Sequence, residues 1–354
     1  MGTIPQMNIL IYHQKHLTNN INDAAQTVNE KHFKAIIRSV RFMSRLFPAS
    51  RIFFINDQCH QFSKDLSDNV TLIDLNKINN PSLKLVRTAL QTQSLSPDFQ
   101  TPDRHFNFLK NYFHFYEKAP IPLILSFFER WFYIYNILTS HGIENFVGLD
   151  SDCILLRDVS SHDYKKIGIN HPPSQEDCWP NSLICSTANL NKFLDFVCSF
   201  YEGVQQRITE AKQKPKSAPS PRSPMQESAG IKYINSFFDK PRTAVCDMAL
   251  WYLFKKQNPD LFINNLTVDH NRSVHDWGLG YDTTTFTSQP AQKHNPQGIV
   301  ETVNIKQIFY TEGGPYFEKK DTKELIKIKS LHFSPGALKL SMIPFMEEYK
   351  KNYS

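Results

Sequence analysis

Two aspartates separated by one serine, Asp150-Ser151-Asp152, stand between the apolar runs "NFVGL" and "CILL". Carboxylates this close repel each other, and beside buried strand residues they also lose hydration, a cost that calls for a cation. A divalent metal is the natural compensator. One or two carboxylates can hold a hard cation, which in turn holds the phosphates of a nucleotide. A histidine late in the chain, His332 in "SLHFSPGALK", offers a further metal ligand.

Other readings of the pair carry different chemistry. Asp and Ser also favour turns, so a surface strand-to-loop turn needs no metal. A phosphatase of the haloacid-dehalogenase type uses a similar pair, but at the end of its first strand and with Thr or Val two residues beyond. Here the pair comes at position 150, followed by Cys153 and Ile154. A calcium loop needs oxygen donors at alternating positions, which the apolar run after Asp152 excludes.

The elements that must position these groups have a regular order. "MNILIYHQ" (7–14), "SRIFFIND" (50–57) and "VTLIDLN" (70–76) read as strands. Between the first two, residues 30–48 carry apolar side chains at helical spacing and end at a proline. Strand, helix, strand, strand opens a doubly wound α/β sheet. Residues 126–142 read as a largely buried helix ending at Gly142, and 145–150 as the next central strand. In such sheets ligands bind beyond the carboxyl ends of the strands, where the aspartate pair falls. Residues 181–204 then read as strand and helix, 244–260 as a helix, and 326–343 as a strand, a glycine turn and a terminal segment. Residues 211–230, rich in Pro, Ser and Lys, read as a mobile surface loop.

Composition sets the bounds. At 354 residues, with 40% hydrophobic and 13% aromatic content, the chain can bury a large core. A net charge of +6 without a long Lys/Arg run suits an anionic small molecule or acidic surface and does not suggest nucleic acid. The six cysteines form no CxxC pair, which argues against zinc; Cys153 and Cys185 read as buried, reduced thiols. A reducing, cytoplasmic setting follows, with a membrane-peripheral role left open. The start of the chain has neither a signal-peptide pattern nor a myristoylation motif, and no apolar run is long enough for a transmembrane helix.

Taken in order, the motifs resemble those of the metal-dependent GT-A glycosyltransferases, in particular the glycogenin- and galactosyltransferase-like family 8 group. "FERWFYIYNIL" looks like the helix before the DXD strand, and "FVGLDSDCILLRDV" like that strand. "WPNSLICSTANLNKFLDF" resembles the floor of the sugar site. "VCDMALWYLF" resembles the helix start near the reaction centre, and "LHFSPGALK" the terminal metal and diphosphate motif. Asp247-Met248 stands where glycogenin-like chains tend to have Asp-Gln, and Ser334-Pro335-Gly336 lengthens the spacing after His332.

The resemblance implies a Rossmann-like GT-A α/β fold with a doubly wound mixed sheet, residues 1–354 forming one domain. Residues 7–160 would form its nucleotide-binding half and 161–354 its acceptor and sugar half. It implies a Mn²⁺ or Mg²⁺ ion held by Asp150, Asp152 and His332, and a nucleotide-sugar donor, UDP-sugar favoured. Donor contacts would fall to Tyr12, His13, Arg130, Asp150, Ser151, Ser182, Gly336 and Lys339, whose ammonium could neutralise diphosphate. Asp247 would act as catalytic base or orienting group, with Asn181 near the sugar hydroxyls. The acceptor, a glycan, a lipid-linked sugar or a protein, is not readable; the terminal histidine motif leans toward retention.

Simpler roles compete at each position. Arg130, in an apolar helix, could pair structurally with a carboxylate such as Asp150. Asp247 could be a helix N-cap, Asn181 and Ser182 turn residues, and Trp131 core. Asp269-His270-Asn271 could line the acceptor side. Two further classes stay open: a silent nucleotide-sugar binding protein, and a metal-dependent phosphatase or nucleotidyltransferase.

Overall fold

The computed structural model of the protein describes residues 7–13, 23–57, 66–77, 121–173, 175–213, 233–239, 245–276, 278–294, 300–334 and 336–353. The strands in chain order are β1 (Asn8–His13), β2 (Arg51–Asn56), β3 (Val70–Asp74), β4 (Asn145–Asp150), β5 (Cys153–Leu155), β6 (Ile167–Asn170) and β7 (Trp179–Ser186). There follow β8 (Phe262–Asn264), β9 (Ser273–His275), β10 (Ser288–His294), β11 (Val300–Lys306), β12 (Phe309–Thr311), β13 (Gly314–Glu318) and β14 (Leu325–His332). The helices are α1 (Asp23–Leu46), α2 (Ile121–Ser140), α3 (Thr187–Gln213), α4 (Asp247–Gln257) and α5 (Met342–Tyr353).

The main sheet has seven strands in the order β3-β2-β1-β4-β7-β6-β8. Neighbours β3, β2, β1 and β4 are parallel, and β7 runs against both β4 and β6. This is the doubly wound mixed α/β sheet expected from the strand and helix order.

Alternation along β1 sorts its side chains onto two faces. Leu10 and Tyr12 join a core with Trp131, Phe132 and Leu138 of α2, Phe193 of α3 and Trp251 of α4. Ile9 and Ile11 join the opposite core with Phe33, Ile36 and Val40 of α1 and with the second sheet. Phe193 lies flat on Trp251, their ring centroids 3.5 Å apart. Each fully buried ring of this kind contributes about 1.5–3 kcal/mol relative to exposure.

Helix α2 stops where the sequence says it should. Gly142 takes a left-handed φ of +61°, and the Ile143 N–H returns to the Leu138 carbonyl at 2.8 Å. A side chain would be strained at that φ.

The second sheet runs β12-β13-β14-β5, with β9 also paired to β14. Of its strands, β14 is the one read from the sequence at 326; β9 and β12, with only three residues each, give no strand signal. Chain segment 145–155 links the two sheets: β4 ends in the first, Ser151 and Asp152 turn, and β5 enters the second.

Helix α3 continues to Gln213, so residues 211–213 of the expected loop are helical. Ala, Lys and Gln are good helix formers, and Pro215 follows. The rest of that segment lies outside the described residues. No described helix is long and apolar enough to cross a membrane.

Candidate active site and metal centre

The site is built at the carboxyl ends of β1 and β4. These strands pair in parallel with Tyr12 opposite Asp150. His13, the last residue of β1, shares a hydrogen bond of 3.1 Å between Nδ1 and Ser151 Oγ, and its ring stacks on Phe33. The pairing of Leu149 with Ser182 ends the ladder that sets β7 along the other side of β4.

Strand alternation decides where Asp150 points. It shares the face of Phe146, which packs with α2 and α4. There Arg130 of α2 donates to Asp150 Oδ1 and to Asp247 Oδ2, both at 2.6 Å. Burial alone would weaken the protonated guanidinium, but the carboxylates of Asp247 and Asp150 outweigh it and raise its pKa. Asp150 is also shifted upward: burial raises its pKa, Arg130 opposes that rise, and Asp152 adds to it. The burial of Tyr12, with Glu129 nearby, likewise raises its phenol well above its usual range.

Asp247 is 2% exposed and densely hydrogen-bonded. Besides Arg130, it accepts from Trp131 Nε1 at 2.9 Å and from the Met248 N–H at 3.0 Å. It is the first residue of α4; the N-cap position belongs to Cys246. The simple capping reading of Asp247 is therefore replaced by a shared ion pair. Trp131 is core, as expected, and is also a donor to this carboxylate.

Past the turn the chain changes sheets, and Asp152 meets a different set. His332, the last residue of β14, is the cross-strand partner of Cys153 in β5. Its Nε2 lies 3.4 Å from Asp152 Oδ1. Asp152, Cys153 and His332 each offer a ligand atom, all within 4.8 Å of one another, and all three residues are buried. Two ligands bonded to one tetrahedral cation at about 2.1 Å are about 3.4 Å apart, so the carboxylate and imidazole atoms fit a shared cation. Asp150, grouped with them from sequence, engages Arg130 through Oδ1.

Behind His332 lies an ion pair that sequence reasoning missed. Asp276 Oδ2 accepts the His332 backbone N–H at 3.2 Å, and Lys306 Nζ sits 2.5 Å from Asp276 Oδ1. Both side chains are at most 2% exposed, and Lys306 lies against the rings of Phe286 and Phe317. A polar chain runs beside it across the two sheets. His275 Nδ1 and Ser330 Oγ are 2.9 Å apart, as are Ser330 Oγ and Ser182 Oγ. Burial holds the His275 pKa down at about 3, so the imidazole is neutral. Ser182 and Asn181 are strand residues, not turn residues; Asn181 Oδ1 accepts from Asn170 Nδ2 at 2.8 Å.

One expected contributor stands apart. Asp269 Oδ1 accepts N–H groups of Asn271 and Ser273, and its Oδ2 pairs with Lys329 at 2.7 Å. Residues 269–271 thus form a turn at the entry to β9, away from the His332 end of β14. Gly336 opens the short helix Gly336–Ser341, but the side chain of Lys339 lies outside the described set.

No family model matches the sequence, and no curated protein matches it. Among solved structures, the glycosyltransferase GlyE of Streptococcus pneumoniae TIGR4 aligns at 11% identity and a TM-score of 0.27, over 68% of this chain and 45% of its own. The PaToxG glycosyltransferase aligns at 14% identity and a TM-score of 0.31, over 72% of this chain and 75% of its own. A structure described only as a transferase aligns at 13% identity and a TM-score of 0.29, over 70% and 89%. The chain spans less than half the length of GlyE. TM-scores this low carry no weight, and the site stands on its own geometry.

Proposed function

We propose that the protein is a metal-dependent glycosyltransferase that moves a sugar from a nucleoside diphosphate donor, UDP-sugar favoured, to an acceptor. The observation that carries this reading is the pairing, beyond the carboxyl end of β4, of a metal-type donor set on Asp152 and His332 with the Arg130–Asp150–Asp247 ion pairs. A nucleotide needs the first for its phosphates, and a sugar needs rigid carboxylates such as the second. Retention of anomeric configuration and a cytoplasmic setting belong to the same proposal.

When bound, a divalent cation such as Mn²⁺ or Mg²⁺ would offset the charge that develops on the diphosphate as the glycosidic bond breaks. Asp152 and His332 would hold it. Arg130 fixes the angle between Asp150 and Asp247, since a planar guanidinium allows little freedom once two carboxylates share it. With its oxygens already accepting three hydrogen bonds, Asp247 is suited to orienting a sugar hydroxyl, not to removing a proton. Asn181 lies on the same strand edge and would join it. Tyr12 and His13 would flank the nucleoside.

The test is a melting-temperature series with UDP and GDP, each with and without Mn²⁺, on the wild type and Asp152→Asn. Stabilisation by UDP that requires Mn²⁺ and vanishes in the variant is expected. A response to neither nucleotide, or one indifferent to metal and mutation, overturns the proposal.

A further inference from the structure

Cys153 differs in its surroundings from the other buried thiols. Cys178, Cys185 and Cys198 sit in the core with Phe193, Leu194 and Trp251. Cys153 is 0% exposed and belongs to the opposite core with Leu149 and Ile154, but carboxylates lie near it too: burial first, then Asp152, Asp150 and Asp276, raise its thiol pKa. A thiol that only filled space there could be a valine. What distinguishes it is position: it is the cross-strand partner of His332 and the chain neighbour of Asp152, and its sulfur lies within 4.8 Å of their ligand atoms.

We propose that Cys153 is the third protein ligand of this centre, giving an Asp-Cys-His donor set that takes thiophilic divalent cations such as Zn²⁺, Cd²⁺ or Co²⁺ in preference to Mn²⁺ or Mg²⁺. The inference rests on the metal reading of Asp152 and His332 given above and changes which cation that reading calls for. Thiolate sulfur is a soft ligand that shifts a site toward zinc-like metals, whereas oxygen-only sites suit Mg²⁺ and Mn²⁺. Three protein ligands with one position left open is also the arrangement of catalytic zinc sites, in which the fourth position takes water or substrate. Here that position would take a phosphate oxygen. On binding, the S–H bond breaks, the sulfur–metal bond forms, and the proton passes to the buffer.

Cobalt(II) reads the donor set directly, because a bound thiolate adds a near-ultraviolet charge-transfer band to the visible d–d bands of the ion. The full-length wild type with Co²⁺ should show both. Cys153→Ser and Cys153→Ala should keep d–d bands and lose the charge-transfer band. Cys246→Ser, which alters the thiol at the start of α4, should keep both. Zn²⁺ affinity, measured by competition with a chromophoric chelator, should fall at least about tenfold in Cys153→Ser, and Mn²⁺ affinity by less than about threefold. The alanine variant guards against misfolding caused by a hydroxyl in a buried position. Cobalt binding that is lost in Asp152→Asn but shows no thiolate band in the wild type would overturn the role of Cys153 and leave the metal centre standing. A band that survives in Cys153→Ala would assign the sulfur elsewhere and overturn it as well. No cobalt binding by the wild type would remove the metal reading and this inference together.

Discussion

On the α2 side of the main sheet, Asp150 and Asp247 share the guanidinium of Arg130; on the second-sheet side, Asp152 faces an imidazole and a thiol. The two aspartates are two residues apart, yet their counter-groups differ in kind. Arg130 is covalently part of the chain and cannot leave, so its half is permanently set. The other half gathers ligand atoms of three chemistries and suits a cation that exchanges with solvent. Alternation along β4 sends Asp150 to one face, and the change of sheet sends Asp152 to the other. Close spacing in sequence therefore gives two carboxylates different bonded partners, although Asp152 still raises the Asp150 pKa.

The sharpest test of that division is Asp152→Asn. It should lower sugar transfer by about a thousandfold, measured as nucleoside diphosphate release, while the melting temperature without metal stays near that of the wild type. Chelation of the wild type should cause the same loss. Full turnover in the presence of chelator would erase the difference between the halves. Arg130→Met should act in the opposite way, striking stability first. It leaves two carboxylates without their guanidinium, a loss of about 3–5 kcal/mol in urea unfolding for a broken buried pair. A variant as stable as the wild type would mean that the ion pairs are not what holds this half together.

The second-sheet half should also respond to acid. His275 has a folded pKa of about 3 against an ordinary 6.5, so the unfolded chain binds the extra proton between those values. Stability from this group is full above pH 6.5 and falls as pH drops toward 3. Between pH 6.5 and 5 the loss is about 2 kcal/mol, seen as a lower urea midpoint, and His275→Gln should flatten that slope. The smallest effect is expected from Trp131→Phe. It removes one of three donors to Asp247 and should cost about 1 kcal/mol in the same assay. A much larger loss would make the indole, and not Arg130, the main support of that carboxylate.

The main sheet was legible because its signals are local. β1, β2, β3 and β4 are apolar runs at their observed places, and α2 ends at Gly142 as read. The Asp150–Arg130 contact was foreseeable from the cost of a guanidinium in an apolar helix. The Asp247–Arg130 pair was not, because a helix-start aspartate looks like a cap until its partners are seen. Cys153 was readable as buried but not as a neighbour of His332, since only the register of β14 against β5 brings them together. Asp276, just past β9, and Lys306, the last residue of β11, lie 30 positions apart, and nothing in spacing announces that they meet. Such contacts come from sheet assembly and have no period to detect.

The turn between β4 and β5 has one further consequence, which concerns chain length. Because β4 is paired to β1 and β7 while β5 is paired to β14, neither strand can slide to absorb an added residue. One insertion after Ser151 would shift β5 by one place and reverse which of its side chains look inward. Cys153 would then turn away from His332, and Asp152 would take its place. Many surface connections tolerate additions and deletions; this one has a fixed count of two.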